Sequence, residues 1–121
     1  MEVKNWDEIN GLEERFYLES LHDDYEGLRL IFKNENNERV LCIRFDSVLS
    51  YRNVDEGDLL KSSNSVKGGF HKIDSSQYLR WFHEESYDRW KDKKVIHYAI
   101  YTPDDCVDIL SIEPPKVRWL S

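Results

Sequence analysis

Residues 95–115, VIHYAIYTPDDCVDILSIEPP, predict a β-hairpin to which the rest of the chain can be related. Two runs rich in β-branched and aromatic residues flank the segment TPDD at positions 102–105. Its proline presets the backbone angle at the first inner position of a tight turn, and its aspartates can hydrogen-bond their own backbone. We therefore expect two antiparallel strands joined at this turn.

Side-chain alternation indicates a register for the hairpin. If Tyr101 faces Cys106 and Ala99 faces Asp108, successive residues divide cleanly between two faces. One face then carries the apolar set Ile96, Tyr98, Ile100, Val107 and Ile109, and the other carries His97, Ala99, Tyr101, Cys106, Asp108 and Leu110. A slip of one residue would place Asp108 on the apolar face, so the first register is favoured.

Alternating apolar and polar residues predict further strands before the hairpin. The candidate segments are residues 15–22, 28–33, 39–45, 47–54 and 70–73. Residues 1–13 have apolar side chains spaced by three and predict a short amphipathic helix. Residues 117–120 predict an apolar tail that docks on the body of the protein.

One longer helix is predicted after residue 73. The segment DSSQ at 74–77 has the pattern of a capping box, with Asp74 as N-cap and Gln77 at the third helical position. The apolar stripe that follows contains Tyr78, Leu79, Trp81 and Phe82 and could continue to Trp90. At this spacing the aromatic residues Trp81, Phe82, Tyr87 and Trp90 favour a place in the core over a ligand-binding box.

These elements predict an α+β fold, a single domain of residues 1–121 with an antiparallel sheet of about five to seven strands and one main helix packed on one face. A chain of 121 residues supports one hydrophobic core. The composition is 40% hydrophobic and 34% charged, which makes the chain too apolar to be disordered and too charged to span a membrane. Residues 1–26 form an acidic N-terminal segment, and the small, polar residues at 55–69 predict a mobile loop.

Cysteine usage and the first residues indicate a cellular compartment. Cys42 and Cys106 each fall within a predicted strand, which is typical of reduced, buried thiols. Charged residues follow Met1 in place of the apolar run of a secretory signal. We therefore expect a cytoplasmic protein, although the two thiols could still meet across a sheet.

The net charge of −7 is concentrated at the N-terminus. Residues 1–26 contain nine acidic and two basic residues, whereas acids and bases balance in the remaining 95. This distribution disfavours direct binding to nucleic acid and favours a basic protein partner. The alternative is a solvated acidic face that keeps the protein in solution.

The sequence contains few patterns that predict catalysis or metal binding. None of the four histidines has metal-ligand spacing, and His83-Glu84 lacks the second histidine of a zinc-protease helix, so we expect no metal and no cofactor. Gly68-Gly69 lacks the ending of a phosphate-binding loop. One arrangement remains: His97 lies diagonal to Asp108, so that the carboxylate could orient the imidazole as a general base, and Cys106 or Tyr101 could complete a reactive group. The alternative is a structural pair beneath the helix.

A dense polar cluster precedes the predicted mobile loop. The segment SYRNVDEGD contains Tyr51, Arg52, Asp55, Glu56 and Asp58. It is explained by a solvated strand end, but an arginine beside carboxylates at the mouth of a loop would also suit a specific contact.

Three stretches carry a resemblance to a known group of proteins. They are FDSVLSYR at 45–52 with DEG at 55–57, SQYLRWFHEES at 76–86, and the hairpin with the EPP that follows it. Together they resemble small cytosolic proteins of Bacillus-type bacteria, some of which are similar to the immunity partners encoded beside polymorphic or contact-dependent toxins. The resemblance implies stoichiometric inhibition, in which an acidic surface steers onto a basic toxin, often a nuclease.

We therefore expect a non-enzymatic binding protein with a basic protein partner. The expected contact residues are Glu13, Glu14, Glu19, Asp23, Asp24, Glu26, Asp55, Glu56 and Asp58. One alternative is a small ligand-binding or enzymatic domain that uses His97, Asp108 and Tyr101. Another is a homo-oligomeric structural module that pairs through an edge strand or the tail at 117–120.

Overall fold

The computed structural model describes residues 3–5, 16–36, 38–55, 69–102 and 105–120, which form two antiparallel sheets and one helix. The strands are β1 (Val3–Asn5), β2 (Phe16–Asp24), β3 (Gly27–Asn34), β4 (Val40–Phe45), β5 (Val48–Asp55), β6 (Gly69–Ile73), β7 (Ile96–Tyr101), β8 (Asp105–Ser111) and β9 (Lys116–Trp119). The helix, α1 (Gln77–Glu85), lies between β6 and β7 in the chain. The fold is broadly α+β, as the sequence predicted.

The strands divide into a five-stranded sheet with the order β1-β6-β7-β8-β5 and a four-stranded sheet with the order β2-β3-β4-β9. The expectation of one sheet was therefore wrong. Both β3–β4 and the β7–β8 hairpin have one predominantly apolar face, and a helix of nine residues is too short to cover both. Packing the two apolar faces against each other removes both from water.

The main core lies between the two sheets. Inward-facing residues of β3 and β4, such as Phe32 and Phe45, meet Tyr98 and Ile109 of the hairpin in one buried cluster. The Phe45 and Tyr98 ring centroids are 5.2 Å apart, and the rings are tilted edge to face. Each large apolar side chain buried here contributes roughly 1.5–3 kcal/mol.

The predicted register of the hairpin is confirmed. Ala99 pairs with Asp108 and Tyr101 pairs with Cys106. The second face of the hairpin is buried as well, because Tyr78 and Leu79 of α1 pack against Leu110. His97 and Asp108 are consequently only 2% and 0% exposed, which explains why their polar atoms need partners inside the protein.

The helix differs from its predicted boundaries. Ser76, and not Asp74, is the N-cap, since its Oγ accepts a hydrogen bond from the Leu79 N–H. The helix ends at Glu85 and does not reach Trp90. Placing the aromatic stripe in the core was wrong for Trp81 and Tyr87, which are 50% and 93% exposed, because the helix buries only the side that meets the sheet.

The two ends of the chain pair with opposite sheets. A helix was predicted at 1–13, but Val3–Asn5 instead forms strand β1, which pairs with β6, so the prediction was wrong for these residues. The other positions of the predicted helix, 1–2 and 6–13, lie outside the described residues. The apolar tail does dock on the body, as strand β9 beside β4. Of the predicted loop at 55–69, only Asp55, which ends β5, and Gly69, which starts β6, belong to the described residues.

Two further findings concern the cysteines and the length of the helix. Cys42 and Cys106 are both free thiols, and they lie in different sheets. In the described parts of the chain, no helix has the length and apolar character needed to cross a membrane.

Candidate functional site

Asp108 is the centre of a buried polar network on the helix-covered face of the five-stranded sheet. Its Oδ1 lies 2.6 Å from His97 Nε2 and 3.0 Å from the Tyr101 hydroxyl, which donates to it. Its Oδ2 accepts from Arg52 Nε at 3.0 Å. The strand pairings explain this convergence, since Asp108 stands opposite Arg52 of β5 on one side and Ala99 of β7 on the other.

The electrostatics of the network keep Asp108 ionised. Burial alone would raise the pKa of Asp108, but the His97 hydrogen bond and the positive charge of Arg52 outweigh it, so that the pKa lies below its ordinary value. Burial and the neighbouring Asp108 carboxylate raise the pKa of Tyr101. At neutral pH Tyr101 is therefore a protonated donor, and it is unsuited to act as a base.

His97 connects this network to the start of α1. Because an ionised carboxylate only accepts hydrogen bonds, the proton on Nε2 points at Asp108. The other ring nitrogen, Nδ1, lies 2.8 Å from Ser76 Oγ. The same Ser76 oxygen caps the helix, so His97 holds the first turn of α1 against the hairpin.

Ser76, His97 and Asp108 have the residue types of a hydrolase triad, but their geometry differs from one. Ser76 Oγ is occupied by the Leu79 N–H and by His97, and Ser76 is only 7% exposed. A nucleophile must reach its substrate, which this buried cap does not. The structure thus brings together the predicted residues His97, Asp108 and Tyr101, and it buries them.

An open cavity of about 470 Å³ lies beside the network, between β5 and α1. Its lining residues are Ser50, Tyr51, Arg52, Gln77, Tyr78 and Trp81. Arg52 belongs to both the buried network and the cavity, because its Nε donates to the buried Asp108 while 39% of its side chain stays exposed. None of the three buried residues His97, Asp108 and Tyr101 lines the cavity.

Tyr78 organises the wall of the cavity. Its ring stacks on that of Trp81 with centroids 5.8 Å apart and an angle of 21° between the planes. The guanidinium carbon of Arg52 lies 4.4 Å from the Tyr78 centroid, a cation–π contact. The Tyr78 hydroxyl bonds Ser50 Oγ at 2.5 Å, and burial raises the pKa of Tyr78. These contacts fix the side chains before any ligand arrives.

The predicted acidic contact residues lie partly on the β2–β3 hairpin. Asp23, Asp24 and Glu26 are exposed around its turn, and Glu19 is exposed further along β2. The side chain of Asp55 and all of Glu13, Glu14, Glu56 and Asp58 lie outside what the structure describes.

Basic residues of β3 compensate several of these acids. Arg29 lies 2.6 Å from Asp24 and 3.2 Å from Glu26, and Lys33 lies 3.4 Å from Glu19. Asp23 instead accepts a hydrogen bond from the Tyr51 hydroxyl at 2.9 Å, which ties the hairpin to the edge strand β5. The hairpin is therefore less acidic than its sequence alone indicates.

Sequence reasoning identified some of these residues and missed others. The polar cluster at 50–58 marked Tyr51 and Arg52 for a specific contact, and both line the cavity. Ser50, Ser76 and Gln77 were missed as site residues, because nothing local reveals that β5 pairs with β8 and lies beside α1. The exposed position of Trp81 was missed because the aromatic stripe was assigned to the core.

The described residues contain no group of three or more His, Cys, Asp or Glu side chains placed to hold a metal ion. Comparisons of the chain with protein-family models, with curated proteins and with solved structures gave no match, so its function has to be argued from its own residues.

Proposed function

We propose that this protein is a non-enzymatic binding protein that captures a basic protein partner through residues 22–26, the tip of the β2–β3 hairpin. The observation that carries the proposal is Tyr25, which is 96% exposed between the exposed acids Asp24 and Glu26. A tyrosine contributes nothing to the core at this position. Tyrosines are enriched among the residues that dominate binding energy at protein interfaces.

The charge of the hairpin tip supports a basic partner. Asp23, Asp24 and Glu26 are opposed locally by Arg29, which leaves the acids in excess. Arg29 also holds two of the carboxylates in place, so that little side-chain freedom is lost when a partner binds. An acidic surface of this kind accelerates association with a cationic protein at low salt.

The hairpin offers a firm base for such a tip. β2 and β3 pair from Phe16 with Asn34 to Asp24 with Gly27, with one register shift between Leu18 and Ser20. Gly27, with a φ of 100°, closes the turn after Glu26. A residue with a Cβ at position 27 would lie 2.9 Å from the Phe45 carbonyl oxygen. The close approach of this turn to β4 keeps Tyr25 on a supported element rather than on a loose loop.

The resemblance to immunity proteins extends the proposal to the kind of partner, a basic bacterial toxin that is neutralised in a stoichiometric complex. The alternative enzymatic reading has less support, because His97, Asp108 and Tyr101 lie beneath the helix and satisfy one another. A binding protein needs only the surface, and the buried network then serves to hold α1 in place.

The proposal is tested with the product of the reading frame adjacent to that of this protein. Co-expression should restore the growth that this product inhibits, and the purified pair should elute as a one-to-one complex. Tyr25→Ala should weaken the complex by at least tenfold, whereas Tyr87→Ala, an equally exposed tyrosine elsewhere, should leave it unchanged. A complex that forms equally well with both variants would exclude the hairpin tip.

A further inference from the structure

We infer that the cavity between β5 and α1 binds a carboxylate carried on a flat apolar group, such as an aromatic carboxylic acid. The inference does not rest on partner capture at the hairpin tip, because Arg52 of β5 and Tyr78 and Trp81 of α1, which carry it, are not residues of that tip.

Arg52 supplies the group that would bind the carboxylate. Its Nε is engaged by Asp108, and among the described residues its two terminal nitrogens have no hydrogen-bond partner. Those nitrogens are parallel donors that match the two oxygens of a carboxylate. Asp108 and the Tyr78 ring hold the guanidinium, so that a ligand meets a group that is already oriented.

Tyr78 and Trp81 supply the surface for the flat group. Their nearly parallel rings form one wall of the cavity, and Trp81 remains 50% exposed despite its size. A planar apolar ligand would cover this ring and remove it from water. The volume of about 470 Å³ falls within the range of small-molecule sites.

Arg52 is the only charged residue among the described residues that line the cavity, which favours an anion over a cation. Outside the lining, Asp23 accepts a hydrogen bond from the lining residue Tyr51. The carboxylate of Asp108 lies beneath the cavity and already accepts hydrogen bonds from Arg52, His97 and Tyr101. The first turn of α1, which includes the lining residues Gln77 and Tyr78, contains no acidic residue, and its N–H groups carry partial positive charge. Ser50 and Gln77 add neutral polar groups that can complete the hydrogen bonds of a carboxylate.

The test is a titration of the ¹⁵N-labelled full chain followed by NMR, with 1-naphthoate as the probe. We expect saturable shifts of the Trp81 indole N–H and the Arg52 Nε–H. The neutral amide 1-naphthamide and the ringless anion acetate should each bind at least tenfold more weakly, since one lacks the charge and the other the flat group. Equal affinity for either compound would overturn the inference.

Variants locate the binding. Trp81→Ala should weaken the binding of 1-naphthoate at least fivefold. Arg52→Lys should weaken it to the same extent, because lysine keeps the charge but lacks the paired donors of arginine. Tyr87→Ala removes an exposed aromatic next to the same helix and should change nothing. The spectrum of each variant without ligand verifies its fold.

The chain also contains an internal comparison. Arg39 lies 3.8 Å from the Trp119 ring on the four-stranded sheet, so the same two side-chain types meet there outside the cavity. Shifts confined to Arg39 and Trp119, or undiminished binding to Trp81→Ala, would contradict a site between β5 and α1.

Discussion

Asp108 is a buried acidic residue at the centre of the helix-covered face of the five-stranded sheet. It is a carboxylate with no exposure, and it is tolerated only because His97, Tyr101 and Arg52 all donate to it. We expect Asp108→Asn to lower the free energy of unfolding by about 2–4 kcal/mol, measured by urea denaturation, since the change removes the negative charge that Arg52 compensates and replaces one acceptor oxygen with an amide donor.

Asp88→Asn is the matched control. Asp88 is exposed and has a φ of 56°, a conformation that asparagine also adopts, so its free energy of unfolding should change by less than about 0.5 kcal/mol. Equal effects of the two substitutions would show that the network around Asp108 does not stabilise the fold.

The lowered pKa of Asp108 gives this stabilisation a pH dependence. The unfolded carboxyl, with an ordinary pKa of about 3.9, takes up a proton before the folded one as the pH falls. The contribution is therefore complete at neutral pH and is lost in acid as the pH falls through the folded-state pKa. The stability difference between the wild type and Asp108→Asn should shrink below about pH 4; a difference that stays constant from pH 7 to pH 2.5 would contradict the assignment.

Ser76 joins two roles in a single hydroxyl group. Ser76→Ala removes the N-cap of α1 and the partner of His97 Nδ1, so we expect the free energy of unfolding to fall by about 1–2 kcal/mol. Ser75→Ala, at the exposed neighbouring position, should change it by less than about 0.5 kcal/mol. Chemical denaturation of both variants distinguishes the cap from its neighbour.

At the scale of the element, the C-terminus of α1 contains a residue with a strained backbone conformation that a substitution can relieve. The Asp88 N–H bonds the His83 carbonyl at 2.8 Å and the Tyr87 N–H bonds the Glu84 carbonyl at 3.1 Å, the two hydrogen bonds of a Schellman motif. This motif places Tyr87 at a φ of 52°, where glycine is favoured.

We therefore expect Tyr87→Gly to raise the free energy of unfolding by about 0.5–1 kcal/mol, with a rise in Tm of a few degrees. The side chain of Tyr87 is 93% exposed, so its loss removes little packing. Tyr25→Gly, at an equally exposed tyrosine whose φ is not positive, should not stabilise the chain. Thermal unfolding followed by circular dichroism measures both changes, and a Tyr87→Gly variant that melts below the wild type would contradict this account of the helix end.

The elements that could be predicted from sequence were those with local causes. The hairpin register followed from the alternation of residues 95–111 and from the turn predicted at 102–105, of which positions 103 and 104 lie outside the described residues. The helix start could not be assigned in this way, because Asp74, Ser75 and Ser76 are all good N-caps. The choice among them is made by His97, which lies 21 residues from Ser76 in sequence and bonds its hydroxyl.

At the scale of the molecule, the arrangement of the sheets could not be read from the strands. Alternation identifies the buried face of each strand, but not which buried face meets which. The candidate site was likewise predictable only where its residues are close together in sequence. His97, Asp108 and Tyr101 share one hairpin and were placed together correctly, whereas Arg52 reaches Asp108 across 56 residues through the pairing of β5 with β8.

We proposed that the hairpin tip captures a basic partner, and this proposal depends on how charge is distributed over the molecule. The direct measurement is the stopped-flow association rate with the product of the adjacent reading frame at about 10 mM and 150 mM salt, where the Debye length falls from roughly 30 Å to 8 Å. Two double variants with the same change in net charge are compared. Asp24→Lys with Glu26→Lys alters the tip, and Glu84→Lys with Glu85→Lys alters exposed acids of α1.

At low salt the tip variant should associate at least tenfold more slowly than the wild type, because its charges repel the partner where contact is made. The helix variant should be slowed much less, and both differences should diminish at the higher salt concentration. Equal rates for the wild type and the tip variant at low salt, or equal slowing of the two variants, would contradict capture at the hairpin tip.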